Sequence, residues 1–489
     1  MYINGVIYGD QRGSRDWKKT LAFRLVSELG FEECCNMESV YHHKDRKVTL
    51  ACHVDDPLLK CKSHQGQTWI HQELETKFDV RGRAYLTPGT SLDYLSMRVT
   101  LHHNGDLTVD NQLKIEKYLK EYGLLECNPA NEPITKHMLG QIGVNSNQGL
   151  KATEQDAASM DKMLGELLWL SQTTHCTIAV AVSILASLAK KRTLGVEKAL
   201  KHVFRYLAGA KDLCLIKRFG NHDGLVVSSD SDHAGLYSIL GEVRSRSGCD
   251  ITYDGMAVAW KSGWQNIKST GYPKPGKIPE PGNGTISDID GHENLRDANL
   301  RDEIAMSSAE AELYAAADAT RAGLHIKMIA EELEITVPQV VQIGVDAQAA
   351  LGFINNAGSA SRMKHLDLRS AWIKLMRDRS RVGYYKVAGL DNPADFFTKI
   401  LVGHSFKQHQ DRLMGRIPIS EGSNPRRADD VAMASFTPRC AACQNLPFGA
   451  CSGGHTWQAE CGQCQELQLG PGGMLTAAAA LEQMLAALP

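Results

Sequence analysis

At 489 residues the chain is long enough for two to four domains with sizeable cores. Its 54 Lys and Arg nearly balance its 56 Asp and Glu, so there is no global basic or acidic field, and any nucleic-acid surface must be local. No apolar run reaches about 18 residues, and the longest candidate, IAVAVSILASLA, reads as a buried helix, so no membrane contact is expected. The opening MYINGVIYGD shows no basic stretch followed by an apolar one; a cytoplasmic or nuclear chain is expected, not a secreted one. Eight of the 13 cysteines are scattered and five fall between Cys440 and Cys464, which suits a reducing compartment with one metal module better than a disulfide framework.

In chain order, residues 1–135 mix short strands with helices. DWKKTLAFRLVSELG is amphipathic, with apolar Leu21, Phe23, Leu25 and Val26 and a stop at Gly30. KVTLACHV reads as a strand, Asp55 and Asp56 as a turn, and LLKC as the returning strand, so the aspartates stand at a hairpin tip. GDLTVDNQLKIEKYLKEYGL is a strand followed by a helix ending near Gly123. Residues 136–215 read as a helical connection. Met160, Met163, Leu164, Leu167 and Leu168 recur at helical spacing, as do Val196, Leu200, Val203, Phe204 and Leu207, with Gly209 as the C-cap. These stripes signal packing rather than chemistry.

Residues 223–403 change character. GLVVSSD is a strand, and CDITYDGMAVAWK is a hairpin turning at Asp254-Gly255. SSAEAELYAAADATRAGLHIKMIAEELE is a long helix opened by a capping box of Ser307 with Glu310. A strand VVQIGVD, helices AQAALGFINN and HLDLRSAWIKLMRD, and a strand VGYYKVAG follow. NPADFFTK starts a final helix with Pro393 in its first turn. The expected fold class is α/β and α+β multidomain, here with an antiparallel edge on the sheet. Prolines and glycines mark roughly 263–303 as a loop insertion. Residues 404–435 read as a linker, 436–468 as a cysteine-rich module and 469–489 as an Ala/Leu-rich terminal helix.

Acidic residues sit at element ends in this region. Asp230 ends the first strand, Glu312 lies in the early turns of the long helix, Asp346 ends the fourth strand, and Asp395 falls in the first turn of the last helix. Hydrolysis of a phosphodiester needs an activated water and a stabilised leaving oxygen, which two Mg²⁺ ions about 3.5–4 Å apart can supply from a carboxylate cluster. Acids at helix N-termini are also good dipole partners, so the pattern alone leaves a structural role open.

The words SDSDHAG, SSAEAELYAA, VDAQAAL, KHLDLR and NPADFFTKIL occur in that order. Together they resemble the RNase H domain of copia-type retrotransposon Pol polyproteins, which carries SDADWAG, SSAEAEY, DNQAA, KHIDIR and ADIFTK. The resemblance implies an RNase H-like mixed sheet. It matches Asp230, Glu312, Asp346 and Asp395 to the family's Mg²⁺-binding carboxylates, with Asp230 preferred over Asp232 and Glu312 over Glu310. It implies hydrolysis of the RNA strand of an RNA–DNA hybrid, and other Pol or Gag-like chains of the element as partners. The insertion between Trp260 and Ser307 is a departure from the family.

The resemblance extends upstream. GSRDWKKTLAFRLVSELGF and HVDDPLL look like segments of the family's reverse transcriptase, the latter like its YVDDILL hairpin. Asp55 and Asp56 are then matched to part of a polymerase Mg²⁺ site, with residues 1–135 a truncated palm and thumb. The further carboxylate that two-metal polymerisation requires is not found in the expected word ahead of GSRDWKK. His53 stands where the family has Tyr, and Pro57 removes a backbone donor from the returning strand. Loss of RNA-directed DNA polymerase activity is the expectation.

Cys440, Cys443, Cys461 and Cys464 form a C-x₂-C-x₁₇-C-x₂-C pattern that fits a tetrahedral Zn²⁺ site in a zinc-ribbon-like tail, with Cys451 and His455 as alternate ligands. His365 could assist proton transfer or product release, or be a surface histidine. Trp169, Trp260 and Trp372 read as core, and Asn283 opens a glycosylation sequon without a secretory signal to support it. The competing reading is a non-catalytic transposon relic, acting if at all as a zinc-containing nucleic-acid or protein-binding module.

Overall fold

A computed structural model describes residues 13–144, 153–189, 193–265, 305, 307–355, 368–416 and 435–438. The core of the insertion, His365, Asn283, the cysteine module with its Zn²⁺ ligands, and the terminal Ala/Leu segment all lie outside the described residues. The chain divides into two compact units, Met1–Val109 with His325–Val337 and Pro418–Pro489, and Asp110–Leu324 with Pro338–Ile417. No helix among the described residues is long and apolar enough to cross a membrane.

In the first unit the helix Gly13–Phe23 widens into a π turn at Arg24–Glu28, and Gly30 ends it at φ +78°. Leu21 and Leu25, one above the other at i and i+4, are buried with Phe31, Leu50, Ile70, Leu74 and Phe78. Phe23 and Val26, expected on the same face, are 60% and 41% exposed, because the period turns both away from that line. Strands Glu32–Glu33, Val40–His43, Val48–His53 and Asp56–Cys61 form an antiparallel sheet in that order. The last is an edge strand, so Pro57, opposite Cys52, is accommodated and the hairpin stays in register through it.

In the second unit the helices Gln112–Glu121, Lys136–Val144, Glu154–Thr173, Ala179–Leu188 and Leu194–Ala210 form much of the core. Met160, Met163, Leu167, Val196, Leu200, Val203, Phe204 and Leu207 are buried there as their spacing predicts. Gly209 is not a C-cap. It lies inside its helix, and a Cβ there would stand 2.9 Å from Pro129 Cβ, so this glycine serves close packing. Trp169 and Trp260 are half-buried against this core, and Trp372 is half-buried too.

Five strands make the unit's main sheet: β1 (Leu225–Asp232), β2 (Arg246–Tyr253), β3 (Met256–Trp264), β4 (Val341–Val345) and β5 (Val382–Lys386). Their spatial order is β3-β2-β1-β4-β5. β1–β2 and β2–β3 pair antiparallel, whereas β1–β4 and β4–β5 pair parallel. The β2–β3 hairpin turns on Asp254 and Gly255, both at positive φ, as the dipeptide predicts. Parallel pairs need helical crossovers. Helix α1 (Ser308–Glu332), whose residues through Leu324 belong to this unit, precedes β4, and helices Gln348–Asn355 and Leu368–Asp378 precede β5. At the start of α1, Ser307 Oγ accepts a hydrogen bond from Glu310 N at 3.2 Å.

Two expectations near the end of this unit are corrected. NPADFFTK does not start a long helix; Pro393–Phe397 is one tight 3₁₀ turn. Its neighbouring Phe396 and Phe397 are both buried, which a turn pressed into the core allows and a one-faced surface helix does not. Nor is 404 the start of a linker. A helix spans Gly403–Leu413, burying Phe406, His409, Gln410 and Leu413, and Gly415–Arg416 pairs with Leu213 and Cys214.

Candidate metal centre

The site is built on β1, the middle strand of the sheet. Asp230 is fully buried there, directly opposite Gly248 of β2. A Cβ on Gly248 would lie 2.8 Å from both Phe397 Cβ and Thr398 Cγ2, so only glycine lets the 393–397 turn press onto the sheet at this height. Asn392, also fully buried, fixes the turn from its other end: its Nδ2 donates to Ser229 O at 2.9 Å and its Oδ1 accepts from Ala394 N at 3.2 Å. The turn thereby carries Asp395, Thr398 and Lys399 to Asp230. Asp346, one residue beyond β4, reaches the same place from the parallel neighbour of β1.

Oxygens of Asp230, Asp346 and Asp395 lie within 4.8 Å of one another, and among the described residues this is the one group of three His, Cys, Asp or Glu side chains so arranged. Glu312 is not part of that triple. It is 7% exposed, its Oε1 accepts from Ser231 N at 3.4 Å, and its Oε2 is buried without a hydrogen-bond partner. Thr398 Oγ1 donates to Asp230 Oδ2. Lys399 Nζ donates to Asp230 Oδ1 at 3.2 Å and to Asp395 Oδ1 at 2.7 Å.

Crowding acids in a dry place disfavours their charge. Burial, then the Asp395 charge, holds Asp230 well above the usual carboxylate range, against the pull of Lys399. Burial and the Asp346 charge push Glu312 up to about 7. Burial raises Asp346 as well, partly offset by Lys399. Burial works against the Lys399 charge, but Asp230 and Asp395 outweigh it and raise the amine.

The donor set consists of hard carboxylate oxygens, and the orphaned Glu312 Oε2 is an acceptor with nothing yet to accept from; both fit a divalent cation such as Mg²⁺. Of the two aspartates at the end of β1, Asp230 belongs to the triple and Asp232 does not. Glu310 accepts from Tyr314 OH at 3.1 Å instead of joining the cluster. Sequence reasoning missed Thr398 and Lys399. A signal was present, since Lys399 stands four residues after Asp395 in a helical turn.

The hairpin turns on Val54 and Asp55, one residue earlier than the expected Asp55-Asp56 turn, because the first strand ends at His53 and Asp56 already pairs with it. Val54 turns at φ +54°, a strained setting for a β-branched residue, and its carbonyl accepts from Trp17 Nε1 and from Cys52 Sγ. Asp56 opens the returning strand opposite His53 and is pushed up to about 6 by burial and then by the Asp55 charge. Among the described residues no third His, Cys, Asp or Glu joins these two within metal-ligand reach.

The geometry thus places a cluster of three aspartates, at a spacing that could hold a metal ion, on a mixed sheet. The chain is related in sequence to retrotransposon Pol polyproteins: it is 22% identical over 415 residues to the retrovirus-related Pol polyprotein from transposon TNT 1-94 of Nicotiana tabacum, covering 83% of this chain. It is also 24% identical over 266 residues to the putative transposon Ty5-1 protein of Saccharomyces cerevisiae, covering 53% of this chain and 80% of that protein. The chain spans only 27% of the tobacco polyprotein's length. No family model matches the chain.

Proposed function

We propose that residues 223–403, completed by the helix Gly403–Leu413, form an RNase H-like nuclease that hydrolyses the RNA strand of an RNA–DNA hybrid with Mg²⁺. The observation that carries the reading is the convergence of Asp230, Asp346 and Asp395 beside the unpartnered Glu312 oxygen. The strand order, with an antiparallel hairpin on one side of β1 and parallel strands on the other, and the relation to Pol polyproteins support it. Bound Mg²⁺ would activate the attacking water and stabilise the leaving oxygen. Asp230, Asp346 and Asp395 would hold the ions, with Glu312 supplying its free oxygen from α1. No polymerase chemistry is assigned to Asp55 and Asp56, which gather no third carboxylate among the described residues.

The test is cleavage of a labelled RNA–DNA hybrid in Mg²⁺ by the full chain and by Asp230→Asn. The variant should lose at least about a hundredfold in rate, since it removes a charge that positions the ions. Equal rates in the two proteins would remove Asp230 from the site.

The C-x₂-C-x₁₇-C-x₂-C spacing supports structural Zn²⁺ in the tail, held by Cys440, Cys443, Cys461 and Cys464. Elemental analysis of the purified chain should then find about one Zn²⁺ per protein, absent from a Cys440→Ser/Cys443→Ser variant. Equal zinc in both would refute that ligand set.

A further inference from the structure

Both carboxylate oxygens of Asp230 already accept a hydrogen bond from the 398–399 segment. Oδ2 accepts from the Thr398 hydroxyl, and Oδ1 faces the Lys399 ammonium at 3.2 Å. The same ammonium holds Asp395 Oδ1 at 2.7 Å. A divalent ion bridging Asp230 Oδ1 and Asp395 Oδ1 would compete with this amine for the same two oxygens. A hydroxyl can rotate away; an ammonium must carry its whole charge elsewhere. Its path out exists, because the Lys399 side chain is 35% exposed while that of Asp230 is 1% exposed.

We propose that Lys399 is the resident cation of the carboxylate cluster, bridging Asp230 and Asp395 in the metal-free chain and swinging out to solvent when a divalent ion loads. The inference rests on the metal-site reading of these carboxylates. It assigns Lys399 a regulatory part: metal loading becomes an exchange of cations, and the metal concentration needed is set partly by how tightly the lysine holds on. Without a cation the crowded carboxylates repel one another, and the lysine offsets that repulsion. With one, its charge competes with the metal. Lys399 is therefore a positioning residue, acting through Asp230 and Asp395 rather than on substrate.

The experiment is a Mn²⁺ titration of the full chain, followed by the electron paramagnetic resonance of free Mn²⁺. Lys399→Met should bind at least about tenfold more tightly than wild type, since a competing charge at contact distance is gone. Lys399→Arg, which keeps the charge, should stay close to wild type. Binding by Lys399→Met that is equal to or weaker than wild type would overturn the exchange and make Lys399 a plain structural partner. Asp230→Asn keeps the two failures apart: if it binds Mn²⁺ as wild type does, the metal-site reading itself falls, and the exchange with it.

A second measurement needs no variant, in case Lys399→Met does not fold. Reductive methylation of wild type, read by mass spectrometry, should label Lys399 slowly in EDTA and at least about tenfold faster in saturating Mg²⁺, as the amine is freed from its two carboxylates. Labelling that is equally fast in both, or slower with Mg²⁺, would overturn the proposal.

Discussion

Glu312→Gln should raise thermal stability at about pH 8 in EDTA while abolishing Mg²⁺-dependent cleavage. The reason is the sign of the shift. Folded Glu312 is pushed from 4.5 up to about 7, so the folded state binds its proton more tightly than the unfolded chain does. Its contribution is fully favourable below the unfolded value of about 4.5, is lost as pH rises towards 7, and stays lost above that. The penalty at alkaline pH is at most about 3 kcal/mol. Glutamine has no charge to keep dry, so the variant escapes it. The gain in melting temperature should vanish near pH 4, where both proteins are uncharged at this position. Mg²⁺ should then stabilise wild type more than the variant, because Asp230, Asp346 and Asp395 still hold the ion in both but only wild type has the Glu312 charge for it to relieve.

Asp250 supplies the control. It is buried on β2, and burial pushes it up to about 7 despite the opposing Arg412 charge; its Oδ1 has no hydrogen-bond partner. Asp250→Asn should also gain stability at alkaline pH, yet keep the full increment from Mg²⁺, since this aspartate is outside the metal cluster. Thermal melts of the three proteins, with and without Mg²⁺, separate the cases. A Glu312→Gln melting temperature in EDTA that is unchanged or lower than wild type would show that this carboxylate is not held at a cost for the sake of a cation.

Much of the second unit was legible because its signals are local. Alternating and continuous apolar runs gave the five strands, Asp254-Gly255 gave the hairpin turn, and helical spacing gave the core positions from Met160 to Leu207. Asp346 was legible at the end of its strand, but β1 runs on through Asp232 and holds Asp230 inside it, and only the three-dimensional path of β1, β4 and the 393–397 turn brings Asp230, Asp346 and Asp395 together. What failed was tertiary. Gly209 resembles a C-cap in sequence, and only Pro129, distant along the chain, reveals it as a packing glycine. Phe396 and Phe397 carry no helical period because each fills a different part of the core. The helix Gly403–Leu413 was readable from Phe406, His409, Gln410 and Leu413 at three- and four-residue spacing, but two of those buried positions are polar and hid the stripe.

Gly248 leads to the second large effect, because it controls the site without being part of its chemistry. Gly248→Ala places a Cβ 2.8 Å from Phe397 Cβ and Thr398 Cγ2 and 3.0 Å from the Phe397 carbonyl carbon. Phe397 is fully buried, so it has no room to yield, and the turn must lift away from β2. Such overpacking costs about 1–3 kcal/mol. Lifting the turn moves Asp395, Thr398 and Lys399 away from Asp230 together, so cleavage should fall at least about tenfold even in folded protein, as small displacements of reacting groups do. Gly248→Val should be worse on both counts. Gly263, on β3, is the matched control: nothing lies within 4 Å of a Cβ built there, so Gly263→Ala should leave cleavage intact. If Gly248→Ala were as active and as stable as Gly263→Ala, the close approach of the turn to β2 could not be what places Asp395 and Lys399. A loss confined to Gly248 would instead tie a residue with no side chain to the chemistry of the strand beside it.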